Sequence, residues 1–333
     1  LVGDLPDAHP FYHPDLLEFL AAHESIECEL LVYEERADRV ILPWLLRPLP
    51  APVEEACEGR FRFDAFGPDY AGPLTASGSD DGVLERFLSA LREHAAGRGI
   101  LTAFLRLNPF ADCQAALHGL AGSVLDRDVI WVDLSQGFDE TWKGFRHAAR
   151  KNYQRAVASG LEVRALEGDA EVDALTAVYE ATMERREADA RYRFDLAYFK
   201  RLLAAARGRS LIVTARKGGE VAASTLYLFG GGFAFSYLGG AFPEFSQHRP
   251  TNGVVTEAIR SLAGHGVSRL VLGGGYKPGD GIERFKRTFS PLSVPFRTFR
   301  LVFDRAAHDA ACSKLGLEPA EDQGFFPAYR APA

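Results

Sequence analysis

Residues 233–238 alternate aromatic and small side chains (Phe233, Ala234, Phe235, Ser236, then Tyr237 and Leu238), the two-residue period of a half-buried strand. Gly239 and Gly240 break the pattern, and residues 242–250 read as a loop. Val254, Val255, Ala258, Ile259 and Leu262 then recur at helical spacing, so a helix capped by Thr251 or Asn252 is predicted, stopping at Gly264 and Gly266. Arg269-Leu270-Val271-Leu272 is a short strand that enters Gly273-Gly274-Gly275. A strand, helix and strand of this length favour parallel pairing.

The rest of the chain follows similar rules. A helix is predicted near residues 15–23, strands at 30–33, 40–46 and 61–66, a helix at 82–97, and strands at 101–107 and 129–134. Asp139 then opens a basic helix. A second round has a strand at 161–166, helices at 171–187 and 196–207, and strands at 210–216 and 221–229 joined by tight glycine turns. Residues 296–303 form a late strand, placed to close the second sheet. The fold class is α/β with mixed sheets, in two successive domains: 1–140, and 141–304 carrying the chemistry.

At 333 residues the chain has room for two ordinary domains. With 47% apolar and 25% charged residues it matches a soluble globular protein, and no run approaches the roughly 20 apolar residues that span a bilayer. No secretory leader is visible. Cys28, Cys57, Cys113 and Cys312 lack Cys-x-x-Cys spacing, reading as buried small hydrophobes, and a reducing, cytoplasmic setting is expected. The formal charge of -7 conceals an asymmetry. Residues 1–140 hold 10 basic against 25 acidic side chains, the remainder 28 against 20, so a polyphosphate ligand would meet the second half.

Several chemistries lack their residues. There is no His-x-Glu or Cys-x-x-Cys zinc pattern, Gly273-Gly274-Gly275 is not followed by the Lys-Ser/Thr of a phosphate loop, and Gly-x-Ser-x-Gly does not occur.

The segment Gly281-Ile282-Glu283-Arg284-Phe285-Lys286-Arg287-Thr288-Phe289 sets an aromatic beside a lysine after a glycine loop. It resembles the FemABX family of non-ribosomal aminoacyltransferases and the related N-acyltransferases of the GNAT superfamily, with Ser290 where the family pattern has glycine. The basic stretch 142–162 and the loop Gly67-Pro68-Asp69-Tyr70-Ala71-Gly72-Pro73-Leu74 extend the resemblance over most of the chain. It implies tandem GNAT-like domains, a C-terminal tail (305–333) that returns to the first domain, and transfer of an aminoacyl or acyl group to an amine. The donor is aminoacyl-tRNA or acyl-CoA, with no permanently bound cofactor and no metal. The acceptor would be a peptidoglycan precursor, an amino sugar or a small metabolite, and the protein is expected to be a monomer without a membrane span. A non-catalytic ligand-binding module of this fold is the alternative.

For chemistry, the resemblance assigns Lys286 to the carbonyl of the transferred group, with Phe285 alongside. A fixed cation there stabilises an oxyanion that forms only in the transition state; the alternative is a solvated lysine between Arg284 and Arg287. Tyr237 ends a strand where glycine permits close approach, and reads either as a substrate or proton-relay group or as a core aromatic. Arg186, Tyr192 and Arg193 are implied to hold the acceptor, through the two-pronged phosphate binding that suits arginine. Tyr70 is implied to face the acceptor from the first domain. Arg249, Asn252, Gly253 and Gly274 are the donor-binding candidates. Residues 249–254 occupy the position of the GNAT coenzyme A pyrophosphate loop, but have asparagine in place of its first glycine and a proline that removes one N–H.

Overall fold

The computed structural model describes residue 5 and residues 8–76, 82–319 and 324–331. The chain divides into two compact units, one of residues 1–127 and 295–333, the other of residues 128–294.

In the first unit, α1 (Pro14–Glu24) precedes the hairpin β1 (Glu27–Glu35) and β2 (Asp38–Pro48). After α2 (Ala51–Ala56) come β3 (Phe63–Phe66), β4 (Leu74–Thr75), α3 (Val83–Arg98) and β5 (Ile100–Arg106). β2 pairs antiparallel with β3 and β4, whereas β3 and β5, joined across α3, run parallel. Val83, Leu84, Phe87, Leu88, Leu91 and Ala95 form the apolar stripe of α3, buried against Val40, Leu42, Trp44 and Leu46 of β2. That three-to-four-residue spacing is what makes the segment a sheet-covering helix.

β6 (Ser123–Asp133) leads into the second unit. Its helices α4 (Phe138–Gly144) and α5 (His147–Ala158) precede β7 (Leu161–Glu167), α6 (Val172–Arg185), α7 (Leu196–Ala206), β8 (Ser210–Lys217), β9 (Glu220–Gly230) and β10 (Phe233–Ala241). α8 (Pro250–Ala263) crosses over to β11 (Arg269–Gly273), which α9 (Gly281–Lys286) follows. The sheet runs β7-β8-β9-β10 antiparallel, then β11 parallel to β10, then residues 130–133 of β6 antiparallel to β11. Val254, Val255, Ala258, Ile259 and Leu262 of α8 are buried with Leu211, Val213 and Ala215 of β8, the alternate residues of that strand. α6 packs on β9 and β10.

The chain closes with β12 (Ser293–Val302) and α10 (Arg305–Lys314). Residues 298–302 of β12 lie antiparallel to 102–106 of β5, with Phe299 and Leu301 filling the first unit's core. One sequence expectation changes here. The basic helix is broken: Phe145 is extended, and its buried ring meets Phe289 edge-on at 5.3 Å and lies 5.3 Å from Trp142. Burial of that ring outweighs continuation of the helix. In the first unit, Tyr329 donates to or accepts from Thr102 (2.9 Å) and Arg330 donates to buried Asp64 (2.8 Å).

Candidate active site

β10 and β11 pair only over Phe233–Phe235 against Arg269–Val271, after which the two strands part. β10 continues to Ala241 along β9, with a register shift between Ser236 and Leu238 that makes Tyr237 the extra residue of a β-bulge. Bulges bend a strand and re-aim its side chains, and this one falls where the sheet opens. The glycines that follow answer to neighbours. A Cβ on Gly239 would lie 2.5 Å from the Ser224 carbonyl oxygen, and one on Gly240 would run into the hydroxyl of Thr182.

A cavity of about 760 Å³ opens beside the bulge, walled by Tyr237, Leu238 and Gly239 of β10 and by Tyr179, Arg186 and Tyr192 among others. The segment after α6 is fastened by aromatic contacts. Phe194 stacks on Tyr198 at 3.8 Å and on Tyr179 at 5.7 Å, while the Tyr179 hydroxyl donates to the Tyr192 carbonyl oxygen at 2.7 Å. Burial lifts that hydroxyl to about pKa 12, so Tyr179 is a neutral donor, not a base. Asp189, also in the wall, is engaged by Arg191 through its backbone N–H (3.1 Å) and guanidinium (3.5 Å). The Arg186 guanidinium has no ion pair or hydrogen bond among the described residues, which leaves its charge to whatever enters. Arg193 is turned back onto the Ala188 carbonyl oxygen (3.2 Å) and is not in the wall.

A second cavity of about 470 Å³ lies past the end of β10, bordered by Phe242, Arg249, Asn252, Phe285 and Arg185. The two cavities thus share two elements: residues 237–239 and Arg186 border one, Ala241 and Arg185 the other. Helix α8 begins earlier than expected. Arg249, in the left-handed region at φ 57°, is its N-cap and Pro250 its first residue, so Thr251 and Asn252 lie inside the first turn and neither caps it. Proline at that position is pre-set for helix and has no N–H to lose. Gly253 packs against strand β7, where an added Cβ would meet Val163 at 3.1 Å and Leu161 at 3.3 Å.

Lys286 borders neither cavity. Its ammonium donates to the Gly274 carbonyl oxygen (2.8 Å), just beyond β11. Phe285, its neighbour, reaches the smaller cavity and meets Phe289 edge-on at 5.2 Å. Ser290, which stands where the family pattern has glycine, is buried and accepts from the Leu292 N–H (3.1 Å). The loop between Gly274 and α9 is organised by Asp280, which accepts from the N–H groups of Tyr276 (2.7 Å), Lys277 (3.2 Å) and Glu283 (2.8 Å). The hydrogen bond from Glu283 N–H leads the causes that hold the Asp280 carboxyl below its ordinary range.

Tyr70 belongs to the first unit. It sits at φ 55°, its ring meets Phe296 at 5.1 Å, and burial pushes its hydroxyl well above the ordinary tyrosine range. Sequence reasoning missed Tyr179, Tyr276 and Asp280. The last was legible: Asp280 three residues before Glu283 is a capping-box spacing. The two tyrosines carried no local signal.

Residues 143–287 match the family model of the acetyltransferase (GNAT) domain. No curated protein matches the chain. Among solved structures, FemX is similar with a TM-score of 0.66 at 11% identity, over 85% of this chain and 90% of that one. The C-terminal domain of a protein from Agrobacterium fabrum described as a lysylphosphatidylglycerol synthetase gives 0.53 at 17% identity, over 90% of each chain. L-PGS from Bacillus licheniformis gives 0.50 at 12% identity, over 97% of this chain and 100% of that one. The protein therefore has a FemABX-like GNAT fold of mixed α/β class. Among the described residues, no helix is long and apolar enough to cross a membrane and no group of three or more His, Cys, Asp or Glu side chains could hold a metal ion.

Proposed function

We propose that the protein is an N-acyltransferase that passes an aminoacyl or acyl group by direct attack to an amine held in the larger cavity. The observation that carries this reading is the parting of β10 and β11 at the Tyr237 bulge, between two cavities that share β10 and the end of α6. One cavity suits an acceptor, the other the donor's carrier. The amine lone pair attacks the donor carbonyl, charge builds on its oxygen, and collapse breaks the bond to the carrier oxygen or sulfur. The amine must arrive neutral, and Tyr237 is the candidate relay, taking the amine's proton through water as its own phenolic proton passes to the departing carrier oxygen or sulfur. Lys286, tethered at the end of β11, is the candidate cation for the oxyanion. Arg186 is the candidate contact to a negative group of the acceptor, such as a nucleotide-linked precursor or amino sugar derivative.

Between donors, an aminoacyl ester is the first reading. The first turn of α8 offers little to a pyrophosphate: Pro250 has no N–H, and the N–H groups of Asn252 and Gly253 both bond the Arg249 carbonyl oxygen (3.1 and 3.3 Å). Acyl-CoA is the second, favoured by the match to the GNAT acetyltransferase domain. The test is thermal stability with coenzyme A, acetyl-CoA and bulk tRNA at two salt concentrations. A salt-sensitive rise with tRNA alone is expected. A rise with coenzyme A alone reverses the order of the donors, and silence from all three removes the reading.

A further inference from the structure

The larger cavity is walled mainly by rings. Tyr179, Tyr192, Tyr237 and Tyr276 border it with Met183 and Leu238, and among the described residues no Asn, Gln, Ser, Thr, His or Lys side chain joins them. Two of the rings stand in water: Tyr276 is 75% exposed and Tyr192 51%. Tyr276 is nonetheless held in place, because its backbone N–H donates to the Asp280 carboxylate at 2.7 Å, and the Arg191 guanidinium lies 5.3 Å from the Tyr192 ring. After burial itself, Tyr192 and Tyr276 help keep the Tyr179 hydroxyl neutral, so the three phenols share one region. Aromatic faces left in water at a cavity rim lack the burial that a ligand would restore. Charge in this wall is sparse. Arg191 engages Asp189, and the Tyr179 hydroxyl is bonded to the Tyr192 carbonyl oxygen. Among the described residues of the wall, Arg186 is then the one charged group without a partner.

We infer that the acceptor taken by this cavity is an aromatic α-amino acid, its ring laid against Tyr276 and Tyr192 and its carboxylate on Arg186. Aromatic rings pack on one another in offset and edge-to-face arrangements, which a wall of tyrosines offers. A guanidinium matches one carboxylate with two parallel hydrogen bonds. Charge sets this acceptor apart from a nucleotide-linked one, since a diphosphate brings at least two negative charges to a single unpaired cation. Polarity sets it apart from an amino sugar. A pyranose carries hydroxyls around its ring, and each one buried without a partner is costly, whereas this wall holds few free polar side chains.

The fate of the amine rests on the proposed transfer reaction; the binding of the amino acid does not. In that reaction the α-amine nitrogen bonds to the donor carbonyl carbon, the bond from that carbon to the carrier oxygen or sulfur breaks, and the amine's proton ends on the carrier. The product is an N-acyl amino acid. Calorimetric titrations of the full chain use L-phenylalanine, L-phenylalanine amide, glycine and glucosamine 6-phosphate, with Arg186→Gln, Tyr276→Ala and Tyr276→Phe as variants. Arg186 and Tyr276 are both exposed, so the variants keep the fold. Phenylalanine is expected to bind, with its amide and glycine about tenfold or more weaker, and Arg186→Gln is expected to weaken phenylalanine by the same factor. Tyr276→Ala is expected to weaken it about three- to tenfold, and Tyr276→Phe, which keeps the ring, to bind it as the wild type does. Absence of phenylalanine binding, an amide or glycine that binds as well, tighter binding of glucosamine 6-phosphate, or unchanged affinity in Arg186→Gln or Tyr276→Ala overturns the inference. Phenylalanine that binds as expected but is acylated from neither donor sinks the proposed reaction and leaves the amino acid site standing. Acylation of another amine without phenylalanine binding sinks the inference alone.

Discussion

The Lys286 ammonium lies 2.8 Å from the carbonyl oxygen of Gly274, which ties the end of α9 to the residue that follows β11. The contact holds a half-buried cation beside the loop that follows β11. Lys286→Ala is expected to lower kcat about 100-fold or more, the scale of losing one oxyanion donor, with donor and acceptor affinities nearly unchanged. Single-turnover kinetics alongside binding titrations check it. Unchanged turnover removes Lys286 from the chemistry.

Arg186 makes the complementary case. Its charge would act on the acceptor equally in ground and transition states, so Arg186→Ala should raise the acceptor KM about tenfold or more and leave kcat in place. A fall in kcat at constant KM would move Arg186 out of the binding role.

Gly239→Ala and Gly240→Ala test the opening itself. Each added methyl meets a packed neighbour, Ser224 and Thr225 for the first and Thr182 for the second. Loss of about 1–3 kcal/mol in urea-unfolding free energy is expected for each, with Gly97→Ala, where a Cβ meets nothing within 4 Å, as the exposed control. Wild-type stability in both would show that the β10 backbone moves freely there.

His9 gives a pH dependence. It is 3% exposed, its Nε2 lies 2.9 Å from the Tyr70 carbonyl oxygen, and burial lowers its pKa to about 3 from 6.5. Below pH 6.5 the unfolded chain binds a proton that the folded one refuses. This contribution to stability is therefore complete above pH 6.5 and falls by about 1.4 kcal/mol per pH unit toward pH 3. Denaturant midpoints of the wild type and His9→Gln between pH 7 and 4 isolate it from the carboxylates. Parallel curves would exclude His9.

Arg330 tests the C-terminal segment. With Arg47 it flanks Asp64, which is 0% exposed. Arg330→Met should destabilise the first unit by about 2 kcal/mol, the scale of hydrogen bonds to a charged group, because Arg47 at 2.8 Å still answers the carboxylate. An unshifted melting temperature would mean that the segment adds nothing there.

The order of elements was readable without coordinates. The two-residue alternation at residues 233–238, the stripe Val254, Val255, Ala258, Ile259 and Leu262, and the glycine turns of the hairpins each report local burial, which local spacing encodes. The motif around Phe285 and Lys286 pointed to the GNAT fold, and Tyr237, Arg186 and Tyr192, apart in sequence, do border one cavity. Tertiary structure alone decided the rest. That residues 298–302 pair with residues 102–106 depends on long-range pairing that a strand's own pattern does not specify. The break at Phe145 depends on Phe289, far along the chain, offering its ring a buried place. The bulge at Tyr237 is a register event between strands, and Asn252 reads as a helix cap until packing buries it beside a cavity. Spacing along a chain records which face a residue turns to the core; only the packed chain determines what meets it there.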